Sequence, residues 1–323
     1  MPEKIYGNEH ITDTFKNMLA NQRMAHSFLI YGERGLGKKA IAQYLSMLLV
    51  CEADEKPCGI CRPCRNTINQ CHPDIIYAEH TGKLNGFSVD TVRGICSDAY
   101  IKPNNSDKKI YIFTDADNIT VQAQNSLLKL IEEPPSYVYF IFTAESKNAF
   151  LETVLSRIIS LNAAEVDNDT CCKVLVQSGI SEENALKAIK CFGGNIGLCM
   201  EYISSEKLQS TVELTKSAID CIINRDEYGL LKTLSSSDSD KSQLKSIITM
   251  LDKIIRDSLA AKFSQDSTIS CYSEGAVMLA DSLTMNSCEK MHSAFSKAFA
   301  LADRNVNIKL IISSLCADIM ICR

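Results

Sequence analysis

The chain has 323 residues, of which 46% are hydrophobic and 23% are charged, and its formal net charge is −5. This length exceeds what one ordinary hydrophobic core organises, so two or three domains are expected. The acidic balance argues against a stand-alone nucleic-acid binder held by a basic surface. No apolar run is long enough to span a membrane, and the first residues lack a signal-peptide pattern. The 15 cysteines, in a sequence without a secretory signal, indicate reduced thiols. Together these features predict a cytoplasmic protein.

The first half of the sequence alternates strand and helix patterns. Short apolar runs of strand length lie at 27–31, 74–77, 110–113 and 138–142. Helical patterns lie between them, at 38–50, about 88–99 and 120–132. This repetition predicts a parallel sheet with helices on both faces. The lysines beside the loop before the third run, Lys102, Lys108 and Lys109, are interpreted as solvated charges, with a surface that faces DNA as the alternative.

After about residue 162 the pattern changes to helices. Apolar residues recur with a period near 3.6 at 170–178, 182–192, 196–204 and 208–223, and again from 241 to 323. We therefore predict an α/β domain at 1–162, a small helical domain at 163–206 and a larger helical domain at 207–323.

Residues 32–39, Gly-Glu-Arg-Gly-Leu-Gly-Lys-Lys, have the glycines and the lysine of a phosphate-binding P-loop directly after the first strand. Gly32, Gly35 and Gly37 allow the backbone to wrap a phosphate, and Lys38 supplies charge. The motif requires Ser or Thr at the next position, because that hydroxyl holds Mg²⁺; this chain has Lys39. The pattern predicts an ATPase fold that is not a good ATPase. Lys38 either binds nucleotide weakly without Mg²⁺ or satisfies nearby loop carbonyls.

A cluster of cysteines follows the P-loop helix. Cys51, Cys58, Cys61 and Cys64 are spaced as C-x6-C-x2-C-x2-C, and four thiolates satisfy tetrahedral Zn²⁺ with no open position. The spacing therefore predicts a structural zinc module at 51–64. Unrelated buried thiols and a redox pair are the weaker alternatives, and Cys71-His72 could offer substitute ligands.

Two further motifs resemble those of a known family. Residues 125–135, Asn-Ser-Leu-Leu-Lys-Leu-Ile-Glu-Glu-Pro-Pro, resemble a signature of the sliding-clamp loaders, which are AAA+ proteins. Leu155-Ser156-Arg157 resembles their Ser-Arg-Cys motif, with Ile158 in place of Cys. Together with the P-loop and the inserted cysteines, they make the chain similar to the delta-prime type of subunit in bacterial DNA polymerase III clamp loaders. The resemblance covers about residues 1–205.

The resemblance implies an AAA+ P-loop domain with an inserted zinc module, a small helical lid domain and an all-α collar domain that holds a hetero-oligomeric ring together. It also implies that several positions which handle metal or phosphate are altered. Thr114 and Asp115 stand where active members have Asp-Glu, and Gly197 stands at the position of a sensor arginine. Thr143 matches a polar sensor. ATP or ADP binding without a competent Mg²⁺ site, and negligible hydrolysis, are the expectations.

Arg157 is the residue that the resemblance marks as functional. In ring-shaped AAA+ assemblies the arginine of this motif reaches the γ-phosphate in a neighbouring subunit. The alternative interpretation is a surface arginine paired with a carboxylate. The implied partners are the gamma/tau and delta subunits and, through the complex, the sliding clamp and primer–template DNA. Two other functions compete: a catalytically active gamma/tau-type motor, and a nucleic-acid binder that uses the zinc module.

Overall fold

The computed structural model describes residues 5–82, 86–236, 241–263, 269–304 and 306–322. Its contacts group the chain into two compact units, Met1–Val166 and Asp167–Arg323. The first contains every predicted site residue except Gly197.

The first unit alternates helices and strands, as predicted. Its helices are α1 (Glu9–Ala20), α2 (Lys38–Val50), α3 (Arg62–Ile68), α4 (Val89–Asp98), α5 (Val121–Glu132) and α6 (Glu152–Leu155). Its strands are β1 (Ser27–Tyr31), β2 (Ile75–Tyr77), β3 (Lys109–Phe113), β4 (Val138–Ala144) and β5 (Ile159–Asn162). The predictions for β1 and α2 are confirmed to the residue, and the others agree within a few residues.

The strands form one parallel sheet in the order β2-β3-β4-β1-β5. In its register Leu29 lies beside Phe142 on one side and Ser160 on the other. The edge strand β5 was not predicted. Its four residues, Ile-Ser-Leu-Asn, alternate between half-buried and exposed, so they lack the continuous apolar run that marks a central parallel strand.

Each face of the sheet carries its own core, because successive side chains of a strand point to opposite faces. One core contains Phe28, Ile30 and Ile141 and is covered by α1 and α2. The opposite core contains Leu29 and Phe142 and is covered by α4 and α5. This confirms the prediction of helices on both faces. It also leaves the carboxyl ends of all five strands at one edge.

The interpretation of Lys109 as a solvated charge is wrong. Its side chain is buried at the start of β3, and its Nζ lies 2.8 Å from Oδ2 of Asp98. The same ammonium donates hydrogen bonds to the carbonyls of Asp98 and Ile101, at 2.9 and 3.2 Å. These carbonyls lie at and just after the end of α4, where a cation is favoured. Lys109 therefore fastens α4 to the sheet.

The second unit is helical throughout the part that the structure describes. Its helices are α7 (Asn168–Gln177), α8 (Glu182–Phe192), α9 (Ile196–Ser204), α10 (Glu206–Asn224), α11 (Glu227–Ser235), α12 (Lys241–Lys262), α13 (Ser273–Ser282), α14 (Met285–Asp303) and α15 (Ile308–Cys322). Helices α7, α8 and α9 pack together, and α12 packs against α10, α13 and α14. The helices at 182–192 and 196–204 match their predictions to the residue. The domain boundary at 206/207 stays a prediction.

Candidate functional site

The glycine-rich loop runs from the carboxyl end of β1 to the start of α2. Gly32 has a φ of +149°, and a Cβ added there would lie 2.7 Å from the carbonyl oxygen of Ala163. Gly37 is left-handed, with φ +75°, and immediately precedes α2. Both conformations favour glycine. The loop thus has the backbone course that its glycines predict, and it ends at a helix N-terminus.

Lys38 turns back onto its own loop. Its Nζ donates hydrogen bonds to the carbonyl oxygens of Gly32, at 2.6 Å, and Glu33, at 2.8 Å. The residue is 7% exposed, and this burial lowers the pKa of its ammonium. The sequence left two roles open for Lys38. The observed hydrogen bonds correspond to the second role, in which the lysine satisfies the carbonyls of its own loop.

The negative charges of three carboxylates partly offset the effect of burial on the pKa of the Lys38 ammonium: those of Glu145, Asp117 and Asp115. Asp117 Oδ1 in turn accepts the backbone N–H of Glu145 at 2.8 Å. Asp117 and Glu145 were not predicted from the sequence. Their signal was available, because each follows a parallel strand at its carboxyl end, where the P-loop also lies.

Lys39 forms an ion pair with Asp115. The Nζ–Oδ2 distance is 2.6 Å, and both side chains are at least half exposed. The backbone N–H of Asp115 donates to the hydroxyl of the buried Thr143 at 2.9 Å. The structure therefore brings Lys39, Asp115 and Thr143 together beside the P-loop, with an ammonium on the carboxylate.

Thr114 lies one residue before Asp115 and has a different neighbour. Its hydroxyl is 3.5 Å from Nε2 of His80, whose ring stacks on Phe87 at a centroid distance of 4.5 Å. Sequence reasoning missed His80, which follows β2 and has no motif around it. Thr114 is thus a neutral side chain at a position where the resemblance expects a metal-supporting carboxylate.

Arg157 lies just after α6 and pairs with the last residue of α5. Its Nε is 2.6 Å from Oε1 of Glu132, and the two side chains are 40% and 45% exposed. Its Nη1 donates to the carbonyl of Thr153 at 2.8 Å and to the hydroxyl of Ser156 at 2.9 Å. The alternative interpretation of Arg157, a surface arginine with a carboxylate partner, describes this arrangement within the chain.

Helix α5 also holds the segment that leads to Arg157. The buried Gln124 accepts the backbone N–H of Leu151 at 2.7 Å and donates to the carbonyls of Ala149 and Ile119, at 2.9 and 3.2 Å. Leu151 immediately precedes α6. Gln124 near the start of α5 and Glu132 at its end thus fasten the segment 149–157 at two points.

The four predicted zinc ligands converge. The Sγ atoms of Cys51, Cys58, Cys61 and Cys64 all lie within 4.8 Å of one another. The Sγ atoms of Cys51 and Cys61 are 3.9 Å apart, and tetrahedral Zn–S bonds of about 2.3 Å place sulfur atoms about 3.8 Å apart. The donor set and its spacing are therefore compatible with a zinc site. Cys71, the suggested substitute, is exposed and outside the cluster.

The cluster is built at the junction of two helices. Cys51 follows the last residue of α2, Cys61 precedes α3, and Cys64 lies in its first turn. Backbone N–H groups of Cys61 and Ile60 lower the pKa of the Cys58 thiol to about 6, which favours the thiolate that a metal requires. Burial raises the pKa of Cys64. A bound cation would oppose that shift.

Gly197, the remaining predicted position, lies in α9 of the second unit. It offers no side chain to a phosphate.

No helix in the described ranges combines the length and apolarity needed to cross a membrane.

Comparisons with known proteins show that this chain is similar to subunits of DNA polymerase III. A family model described as "DNA polymerase III, delta subunit" matches residues 7–167. DNA polymerase III subunit tau of Bacillus subtilis is 32% identical over 157 residues, which are 48% of this chain and 27% of that protein. Subunit gamma of Buchnera aphidicola is 28% identical over 192 residues, 57% of this chain and 52% of that protein. The chain therefore spans only a quarter to a half of these relatives.

A solved structure shares the fold. A DNA polymerase III gamma subunit-related protein from Thermotoga maritima superposes with a TM-score of 0.50 at 15% identity, over 97% of this chain and 99% of that one. At this identity the likeness concerns the fold alone. One assignment follows from the matched family model and the tau and gamma relatives, and the parallel sheet with its P-loop agrees with it. Through residues 7–167, the chain belongs to the delta-type, clamp-loader family of DNA polymerase III.

Proposed function

We propose that the chain is a hydrolysis-defective, delta-prime-type subunit of a DNA polymerase III clamp loader. The observation that carries this proposal is the ion pair between Lys39 and Asp115. In an active P-loop ATPase these two positions hold a metal-binding hydroxyl and an acidic residue that polarises water. Here an ammonium occupies the first position, and the carboxylate at the second is engaged with it.

More than one group that would support or bind Mg²⁺ is altered. Thr114 has no charge with which to support Mg²⁺, and Lys39 has no lone pair to offer it. Lys38 is engaged with carbonyls of its own loop. Phosphoryl transfer depends on charge stabilisation by metal and protein groups. Each of these changes removes part of it, so ATP or ADP binding here is weak and hydrolysis negligible.

Arg157 is the group that we propose for catalysis, and it acts at a neighbouring subunit. An arginine that reaches a γ-phosphate from another chain accelerates related phosphoryl transfers by about 10³–10⁵. Two observations support this role: its side chain remains 40% exposed, and its backbone segment is fastened to α5.

The proposed partners are the gamma/tau and delta subunits, arranged with this chain in a hetero-oligomeric ring in the cytoplasm. Contact with the sliding clamp and primer–template DNA is made through that complex. Residues 163–206 are proposed as the lid and residues 207–323 as the collar that joins the subunits.

The four-cysteine cluster is proposed to hold a structural Zn²⁺ ion. All four ligands come from the protein, so a tetrahedral ion has no open position for water or substrate. Its role is to fix the chain between α2 and α3, and no step of the ATPase cycle passes through it.

A catalytically active gamma/tau-type motor is the second candidate function. One observation favours it: the curated relatives named above are tau and gamma subunits. The two candidates differ in whether the purified chain hydrolyses ATP by itself.

The test therefore has two parts. The purified chain alone should show no Mg²⁺-dependent ATP turnover above a buffer control; a rate like that of a working motor would establish the second candidate instead. The chain is then assembled with gamma/tau and delta, and ATPase activity is measured with clamp and primed DNA. Arg157→Ala should lower the turnover at the neighbouring site by about 10³-fold or more.

Two variants complete the design. Arg157→Lys retains the positive charge but loses the forked geometry, so it should recover only part of the activity. Arg23→Ala removes an exposed arginine after α1 and should leave turnover unchanged. Assembly is checked by co-purification. Unchanged turnover in a fully assembled Arg157→Ala complex would exclude the finger.

A further inference from the structure

The guanidinium of Arg157 is held along one edge. Nε contacts Glu132, and Nη1 contacts Thr153 and Ser156. No residue in the described ranges accepts a hydrogen bond from Nη2. The group is therefore oriented within its own subunit and keeps one nitrogen available for an acceptor outside it.

The partners of Arg157 come from two elements. Thr153 and Ser156 lie in and just after α6, in the same short segment as Arg157. Glu132 instead ends α5, which is buried against the sheet along one face. Among the described residues, it is the one partner of the guanidinium that belongs to an element outside the segment 149–157. The α5 end of the contact is in turn stable, because the preceding turn is packed through Leu130 and Ile131.

The next residue, Glu133, provides a natural comparison. It has the same side chain and is exposed, and it makes no ion pair or side-chain hydrogen bond in the described structure. The contact with Arg157 is thus specific to Glu132 and is not a general effect of acidic charge at the end of α5.

We propose that Glu132 is the positioning residue of Arg157: its carboxylate fixes the plane of the guanidinium so that Nη2 points out of the subunit. This inference depends on the proposed function, since it describes how the same arginine is presented to a neighbour. A long side chain held before it meets its acceptor loses less freedom on contact. Small misplacements of a charge-stabilising group are costly for catalysis, at about 10²-fold for roughly 1 Å.

The experiment uses the assembled complex with gamma/tau, delta, clamp and primed DNA. Glu132→Ala should lower kcat by about tenfold, less than Arg157→Ala, because the arginine remains but samples other orientations. KM for ATP and incorporation into the complex should not change. Glu132→Gln should restore most of kcat, since its amide oxygen can still accept from Nε. Glu133→Ala is the matched control and should behave as the unsubstituted chain.

The outcomes separate the two proposals. If Arg157→Ala has no effect, the proposed catalytic role of Arg157 fails and the role of Glu132 fails with it. If Arg157→Ala lowers kcat but Glu132→Ala does not, only the positioning role is wrong. A higher kcat in Glu132→Ala would also overturn it, because the ion pair would then restrain the arginine. An equal loss in Glu133→Ala would point to acidic charge in general and would contradict the specific contact.

Discussion

At the scale of single residues, one substitution changes the character of the P-loop. The position after Lys38 holds a small hydroxyl in a working motif, and here it holds an ammonium that pairs with Asp115 at 2.6 Å. The pair brings a fixed positive charge to the place where an active relative would collect Mg²⁺. Because both side chains are at least half exposed, the pair contributes little to stability, about 0–1 kcal/mol.

Lys39→Thr restores the hydroxyl but should not create an ATPase. The threonine would meet no metal-supporting carboxylate at position 114, so the altered site remains incomplete. We expect no Mg²⁺-dependent turnover from the purified variant and a change of less than about 1 kcal/mol in the free energy of unfolding. A coupled ATPase assay and thermal unfolding measure the two effects. Lys39→Met, which removes the ion pair without adding a hydroxyl, is the control.

The opposite result would be informative for the whole assignment. If Lys39→Thr alone hydrolysed ATP at a motor-like rate, the metal site would need only the hydroxyl. The chain would then be a motor disabled at one residue. Our expectation is that activity requires at least the combined change Lys39→Thr, Thr114→Asp and Asp115→Glu.

At the scale of elements, the cysteine cluster replaces a packed junction between α2 and α3. In the described part of the chain, a small group of apolar side chains packs around it; Met47 is buried and Ile68 is partly buried. A metal bound by four thiolates can supply the folding free energy that such a small core lacks. The stability of this junction should therefore depend on the ion.

Cys64→Ser should abolish stoichiometric zinc in the purified protein, because a structural site needs its fourth thiolate. Elemental analysis should give about one zinc per unsubstituted chain and far less in the variant. The thermal midpoint should fall as well, by roughly 2–4 °C for each kcal/mol lost in a domain of this size. Cys71→Ser, a change at an exposed cysteine outside the cluster, should retain zinc. A metal-free unsubstituted protein, or full zinc in Cys64→Ser, would contradict the site.

The elements also differ in how well the sequence predicts them. Strand β1 and helix α2 are marked by a continuous apolar run and by the glycines between them, and both were predicted exactly. Strand β5 is short, half-exposed and chemically mixed. Its pairing with β1 fixes it, and in that pairing Phe28 lies beside Ile159, which is far away in the chain.

At the scale of the whole molecule, the sequence predicts contacts between residues that are close in the chain better than contacts between separate elements. The spacing of the cysteines predicts their convergence, because their separations along the chain are short. The pairs Lys39–Asp115 and Arg157–Glu132 join residues from separate elements. Their contacts follow from strand order and side-chain conformation, which no local pattern specifies. The burial of Lys109 escaped prediction for the same reason.

The net charge of −5 is also a property of the whole molecule, and it separates the clamp-loader proposal from a zinc-dependent nucleic-acid binder. Binding of nucleic acid draws most of its non-specific free energy from cations that replace counterions on phosphates. An acidic chain must obtain DNA contact from a local patch or from its partners. The cysteine segment 51–64 has no aromatic side chain on which a base could stack.

The isolated chain should therefore bind primer–template DNA more weakly than about 10⁻⁴ M, the weak limit of non-specific binding at physiological salt. The complex assembled with gamma/tau and delta should bind much more tightly. Fluorescence anisotropy of a labelled primer–template, titrated with each preparation at several salt concentrations, measures both. The contrary result would be tight binding by the chain alone that Cys64→Ser removes and Cys71→Ser does not. The zinc module would then bind nucleic acid directly, despite the acidic net charge of the chain.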